Sequence, residues 1–132
     1  MIYLLDTHVW VWSKADPSKI SPAAKEVLTH LREEDRLLIS AISVWEVARL
    51  VEVGRLTMGM DLDVWVRRAL ETPRLSVAEL TPDVSIESNR LPGDFHRDPA
   101  DRIIVATARV TGATIITADR AIRSYPHVSS LW

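Results

Sequence analysis

Short apolar runs recur along this chain at strand length, and each interval between them carries a helical pattern. Residues 2–5, 36–40, 75–80, 114–117 and 128–131 read as strands, the last at an edge. Strands separated by helices cannot pair as hairpins. They align in parallel and leave the helices to cover the sheet, so the chain is read as α/β.

The intervals carry their own punctuation. Residues 7–14 read as a short helix bearing Val9, Trp10 and Trp12, and Asp16-Pro17-Ser18 as a turn. Ser21 is a cap with Pro22 at the first helical position, and Ala24, Val27, Leu28 and Leu31 share one face of the helix that follows. A helix over 43–53 ends before Gly54, and Asp61 caps another through Leu70. Thr81-Pro82 opens a helix that fades near Arg90, residues 91–98 form a loop, and Pro99 starts a mostly apolar helix closed by Gly112. A short helical turn follows near Arg120.

The 132 residues are read as one domain, 1–132, and 47% hydrophobic content supplies an ample core. A domain of this size buries about two-thirds of its unfolded surface. The absence of cysteine excludes disulfides, thiolate metal sites and cysteine nucleophiles. A net charge of -2 excludes a basic coat for nucleic acid, so any polyanion needs a local basic patch or a metal. No apolar run approaches the roughly 20 residues of a membrane span, and no signal peptide is apparent. A cytoplasmic location is expected.

Four acids stand against this frame. Asp6 ends the first run, Glu46 lies in the helix after the second, Asp101 opens the helix at Pro99, and Asp119 follows the fourth run. In open α/β sheets chemistry gathers outside the carboxyl ends of the strands. Acids collected there repel: two unit charges 4 Å apart cost roughly 4 kcal/mol at an effective dielectric of 20. A divalent cation relieves this, and oxygen ligands suit Mg²⁺ or Mn²⁺. The chain reads as a metal-dependent phosphodiesterase, with one or two ions.

Each acid also has a purely structural reading. Ser43-x-x-Glu46 matches a capping box, Asp98 is placed to cap the helix at Pro99, and Asp119 suits a turn. Asp6 lies between apolar stretches, and a buried acid needs partners. Capping explains each acid singly but not their coincidence at one predicted sheet edge. His8 is close enough in sequence to Asp6 to bond a carboxylate, and His96 precedes Asp98; packing or capping is the commoner use of each. Walker A, GxSxG, HExxH and Cys/His zinc patterns are absent.

Tyr3-Leu4-Leu5-Asp6-Thr7-His8-Val9-Trp10 resembles the start of PIN-domain ribonucleases of the VapC toxin type. Ser40 to Glu46, His96 to Ile104 and Thr114 to Asp119 resemble the second, third and fourth motifs of that family, in order and at its spacing. The resemblance spans almost the whole chain. It implies a central parallel sheet in the order 3-2-1-4-5 with helices on both faces, and a Mg²⁺- or Mn²⁺-dependent endoribonuclease. It also implies the toxin of a type II toxin–antitoxin module, with a small cognate antitoxin and a homodimer.

Carried over by position, Asp6, Glu46, Asp101 and Asp119 form the acidic catalytic site. Asp6, Asp101 and Asp119 would hold metal, and Glu46 would orient or deprotonate the attacking water. Thr7, Asp98 and Thr117 form an outer shell. Arg97, Arg102, Arg120 and Arg123 are candidates for RNA phosphates, against the ordinary alternative of solvated or salt-bridged arginines. A groove of Trp12 with the helices near 23–31 and 44–53 is expected to take an amphipathic antitoxin helix, which sends a basic side chain toward the acids. Two competing readings remain: a noncatalytic RNA- or protein-binding module on the same fold, and another phosphohydrolase such as a DNA nuclease or phosphatase. The phosphatase is disfavoured because Asp6 is followed by Thr7-His8, not by Asp-x-Asp.

Overall fold

The computed structural model describes residues 1–132. Its strands are β1 (Ile2–Leu5), β2 (Arg36–Ser40), β3 (Leu75–Ala78), β4 (Thr114–Ile116) and β5 (Ser129–Leu131). They form one sheet in the order β3-β2-β1-β4-β5, and every pairing is parallel. The helices are α1 (Thr7–Ala15), α2 (Pro22–Thr29), α3 (Ala41–Glu52), α4 (Leu62–Leu70), α5 (Pro82–Ser88), α6 (Pro99–Thr111) and α7 (Arg120–Arg123), with a 3₁₀ turn at Pro17–Lys19.

Alternation along the strands divides the core in two. Leu4, Leu38 and Ile115 face α5, α6 and α7, where they bury Val84, Ile104, Val105 and Ile122. Leu5, Ile39 and Ile116 face the other way, against Val9 and Trp10 of α1, Val47 of α3 and Trp65 of α4. Period-2 strands buried on both sides read as continuous apolar runs, which is why the pattern showed no polar alternation. Helices therefore cover both faces, as expected. No helix is long and apolar enough to cross a membrane.

Several boundaries differ from expectation. β3 stops at Ala78 instead of Leu80, because its partner β2 runs out at Ser40, which pairs with Ala78. The α3 helix starts at Ala41, two residues before the expected Ser43. Its cap is Ser40, whose hydroxyl accepts from the Ile42 N–H at 3.2 Å. Asp61 stands at the N-cap of α4, yet its side chain makes no capping bond. Gly54 follows the Val53 C-cap at φ +76, and Gly112 closes α6 at φ +73, both left-handed positions that suit glycine.

The order of strands fixes where chemistry can sit. The chain builds outward from β1 to β2 and β3, then crosses to the other side of β1 for β4 and β5. Connections leave β1 and β4 on opposite sides and open a crevice at their carboxyl ends, the usual ligand position in such sheets. Asp6 is the residue immediately past β1, and its N–H still bonds the Ile116 carbonyl of β4 at 3.0 Å.

Candidate active site

Asp6, Glu46, Asp101 and Asp119 line one cavity of about 260 Å³, with Thr7, His8, Val11, Trp12, Leu50 and Leu56. No lysine or arginine lines it. The coincidence expected from the sequence is therefore met: acids from the ends of β1 and β4 and from α3 and α6 share one crevice.

Two threonines fix the acids. The Thr7 hydroxyl donates to Glu46 Oε1 at 2.6 Å and lies 2.8 Å from Ser43 Oγ. A threonine hydroxyl carries one proton, so with Glu46 receiving it the Ser43 hydroxyl donates in return. Ser43 is fully buried and does not cap α3. The capping-box reading of Glu46 is thus corrected: Ser40 caps, and Glu46 turns into the cavity toward Thr7. Thr117, also fully buried, accepts from the Asp119 N–H at 2.9 Å and donates to Asp6 Oδ2 at 2.7 Å. Asp6 Oδ1 accepts from the Thr7 N–H at 2.8 Å. Asp119 Oδ1 caps α7 through the N–H groups of Ala121 and Ile122, and Asp98 Oδ1 caps α6 through the Asp101 N–H. Capping and site membership thus coexist at Asp119.

Both nearby histidines have a defined tautomer. The Ala118 N–H donates to His8 Nε2 at 3.1 Å, leaving Nδ1–H directed at Asp6 Oδ2, 3.6 Å away. The Asp98 N–H donates to His96 Nδ1 at 3.3 Å, so His96 Nε2–H faces Asp101 Oδ2 at 3.2 Å. The sequence suggested a carboxylate neighbour for His8 but could not show which ring nitrogen was spoken for.

Burial and mutual repulsion act on these carboxyls. Burial, then the charges of Asp6, Asp98, Asp119 and Glu46, push the Asp101 carboxyl up to about 7. Burial also raises Glu46, the Thr7 hydrogen bond opposes that rise, and Asp6 and Asp98 add to it.

The donor set fits a divalent cation. It is oxygen-rich, half-buried and uncompensated by any lysine or arginine. Glu46 and Asp119 each commit one carboxylate oxygen to the protein and keep the other unpaired. As they stand, no three of the His, Asp and Glu side chains close on a common point. The carboxyls surround the space at the distances their own hydrogen bonds set.

The candidate arginines divide. Arg97, Arg120 and Arg123 are exposed. Arg102 is not available in the same way: its guanidinium donates to the carbonyls of Ser88, Phe95 and His96 at 2.8, 2.9 and 3.1 Å. It ties the 91–98 loop and α5 to α6. The expected groove is also divided. Trp12 joins the acid cavity, packing edge-on to His8 at 4.8 Å and beside Trp132 at 6.0 Å. Leu28 and Leu31, from α2 and just beyond it, line a separate cavity with Trp10 and Lys14.

A five-stranded parallel sheet in this order, with four acids at its switch point, defines the class. The chain belongs to the PIN domain family, whose profile matches residues 3–128. Among its relatives is Ribonuclease VapC22 of Mycobacterium tuberculosis (strain ATCC 25618 / H37Rv), 38% identical over 124 residues, spanning 94% of this chain and 92% of that protein. Solved structures share the fold. VapBC2 from Rickettsia felis, bound to a DNA fragment from its promoter, superposes with a TM-score of 0.75 at 18% identity, over 99% of this chain and 98% of that one. DNA-bound VapBC from Salmonella typhimurium gives 0.72 at 18% identity, over 99% and 97%.

Proposed function

We propose that this protein is a divalent-metal-dependent endoribonuclease and the toxin of a toxin–antitoxin pair. The observation that carries the reading is the convergence of Asp6, Glu46, Asp101 and Asp119 on one cavity without a basic counter-charge. The similarity to Ribonuclease VapC22 supports RNA as the substrate, and the VapBC neighbours support a small antitoxin as partner. A homodimer is part of the same reading, by family resemblance.

Asp6, Asp101 and Asp119 would hold Mg²⁺ or Mn²⁺, as one ion or two. Bound there, the cation would make the attacking water more acidic and offset charge on the phosphorane-like transition state. Glu46 is the base or the orienting group for that water. Its raised pKa makes it a better proton acceptor than an ordinary carboxylate, and the Thr7 hydrogen bond fixes its direction. Thr117 holds Asp6 and the Asp119 backbone at one distance, so the metal-facing oxygens are preorganised. Asp98 supports α6 and adds negative charge at the rim. Arg97, Arg120 and Arg123 supply phosphate contacts beside the cavity, and Arg102 acts by holding the 91–98 loop. An antitoxin basic side chain placed among the acids would inhibit by replacing the cation.

The test is cleavage of a total cellular RNA pool by wild type and Asp6→Asn, each with Mn²⁺ and with chelator. Discrete products only from wild type with metal are expected. Folded wild type without cleavage, but with retained RNA or protein binding, would instead favour the noncatalytic module.

A further inference from the structure

Trp45 stands outside the core, 55% exposed, while the other large apolar side chains of α3 are partly or fully buried. Ile42 and Arg49 lie three positions before it and four after, so the three share one face of α3. The Arg49 guanidinium carbon lies 5.8 Å from the centre of the Trp45 ring. Across from this face, Asp98, Pro99 and Ala100 open α6, and the two walls enclose an open cavity of about 470 Å³. Glu46 and Leu50 line this cavity and the acid cavity alike, so the two adjoin.

We propose that Trp45 and Arg49 form a stacking subsite for one unpaired nucleobase of a single-stranded RNA, flanking the bond cut at the acids. The proposal rests on the nuclease reading. A strand with its phosphodiester beside Glu46 places a neighbouring nucleotide at the adjoining cavity. The occupant is the base and not the phosphate, because Glu46 and Asp98 line the same walls and repel an anion. A flat, exposed indole with a guanidinium beside it offers what a base needs: a ring to stack on and a planar cation for its π-face or its acceptors. Arg49 is also the one cation of this cavity, in a chain of net charge -2. Stacking tolerates every base, so sequence preference at this position is modest.

The experiment measures binding of short oligoadenylate and oligouridylate RNA in chelator by anisotropy, and cleavage of the same RNAs with Mn²⁺. Wild type, Trp45→Ala and Trp45→Phe are compared, with the oligomeric state of each read by light scattering. The alanine variant is expected to bind about 5- to 100-fold more weakly, the loss falling on KM, and phenylalanine to restore most of it. Unchanged binding by Trp45→Ala overturns the subsite. So does loss of self-association with RNA binding intact, which assigns this face to a protein contact. Trp45-dependent binding without cleavage leaves the subsite standing and removes the nuclease reading.

Discussion

Asp101 gives the sharpest quantitative test of the site. Its carboxyl is pushed from an ordinary 3.8 to about 7, chiefly by burial and then by four neighbouring acids. Each tenfold change in a protonation equilibrium is about 1.4 kcal/mol, so the full difference corresponds to about 4 kcal/mol. Water still reaches the side chain, which is 22% exposed, and His96 Nε2–H lies 3.2 Å away to offset part of the repulsion. Screening of this kind leaves about 2 kcal/mol. The direction follows from linkage. A carboxyl harder to ionise in the folded state than in the unfolded chain destabilises the fold wherever it is charged. Below about pH 4 both states are protonated and the penalty is absent. It grows as pH rises to about 7 and is complete above that.

Asp101→Asn removes the charge at nearly constant shape. In chelator at pH 8 the variant is expected to be more stable than wild type by about 2 kcal/mol, or about 6–8 °C in Tm for a domain of this size. The gap should close near pH 4. Divalent cation should also close it, by stabilising wild type alone. Urea and thermal unfolding of both proteins, from pH 4 to 8, decide the matter. A variant no more stable than wild type at pH 8, or a gap indifferent to pH, would refute the electrostatic reasoning.

Three further outcomes follow from the same geometry. Thr7→Val strips Glu46 of its donor and leaves the buried Ser43 hydroxyl unpaired; a stability loss of about 1–2 kcal/mol in urea and a drop in RNA cleavage of at least about tenfold are expected. Ser40→Ala should cost about 1 kcal/mol in the same unfolding assay as a lost cap, with divalent-cation affinity by calorimetry little altered. Divalent-cation affinity of wild type should fall about tenfold for each pH step below about 7, because binding displaces the Asp101 proton; a constant affinity between about pH 5 and 8 would exclude a carboxylate-only site.

The sequence carried the sheet because both faces are buried and the strands therefore stand out as apolar runs. Strand order came from the family resemblance, since alternation alone sets no order. What stayed hidden depends on partners distant in the chain. Ser40 and Ser43 are both serines near the end of the second run, and only where β2 ends, at Ser40, decides between them. Arg102 looks like any arginine near an acidic edge until the carbonyls of Ser88, Phe95 and His96 fold back onto it. Trp45 sits in a mostly apolar helical pattern and is nonetheless exposed. It falls between the buried Ser43 and Val47 on α3, and at two residues from each it turns to the opposite side.

The hydrogen bond between Thr117 and Asp6 joins residues 111 positions apart, and it bears on how the protein is made. Of the five strands, the central one is synthesised first and its neighbour β4 fourth. Until residues 114–116 leave the ribosome, β1 can pair only with β2 and keeps one edge open. Asp6 then lacks both its threonine anchor and Asp119. A chain interrupted upstream of β4 would carry an open strand edge and a crevice without Asp119. The four-acid crevice thus comes together late and all at once.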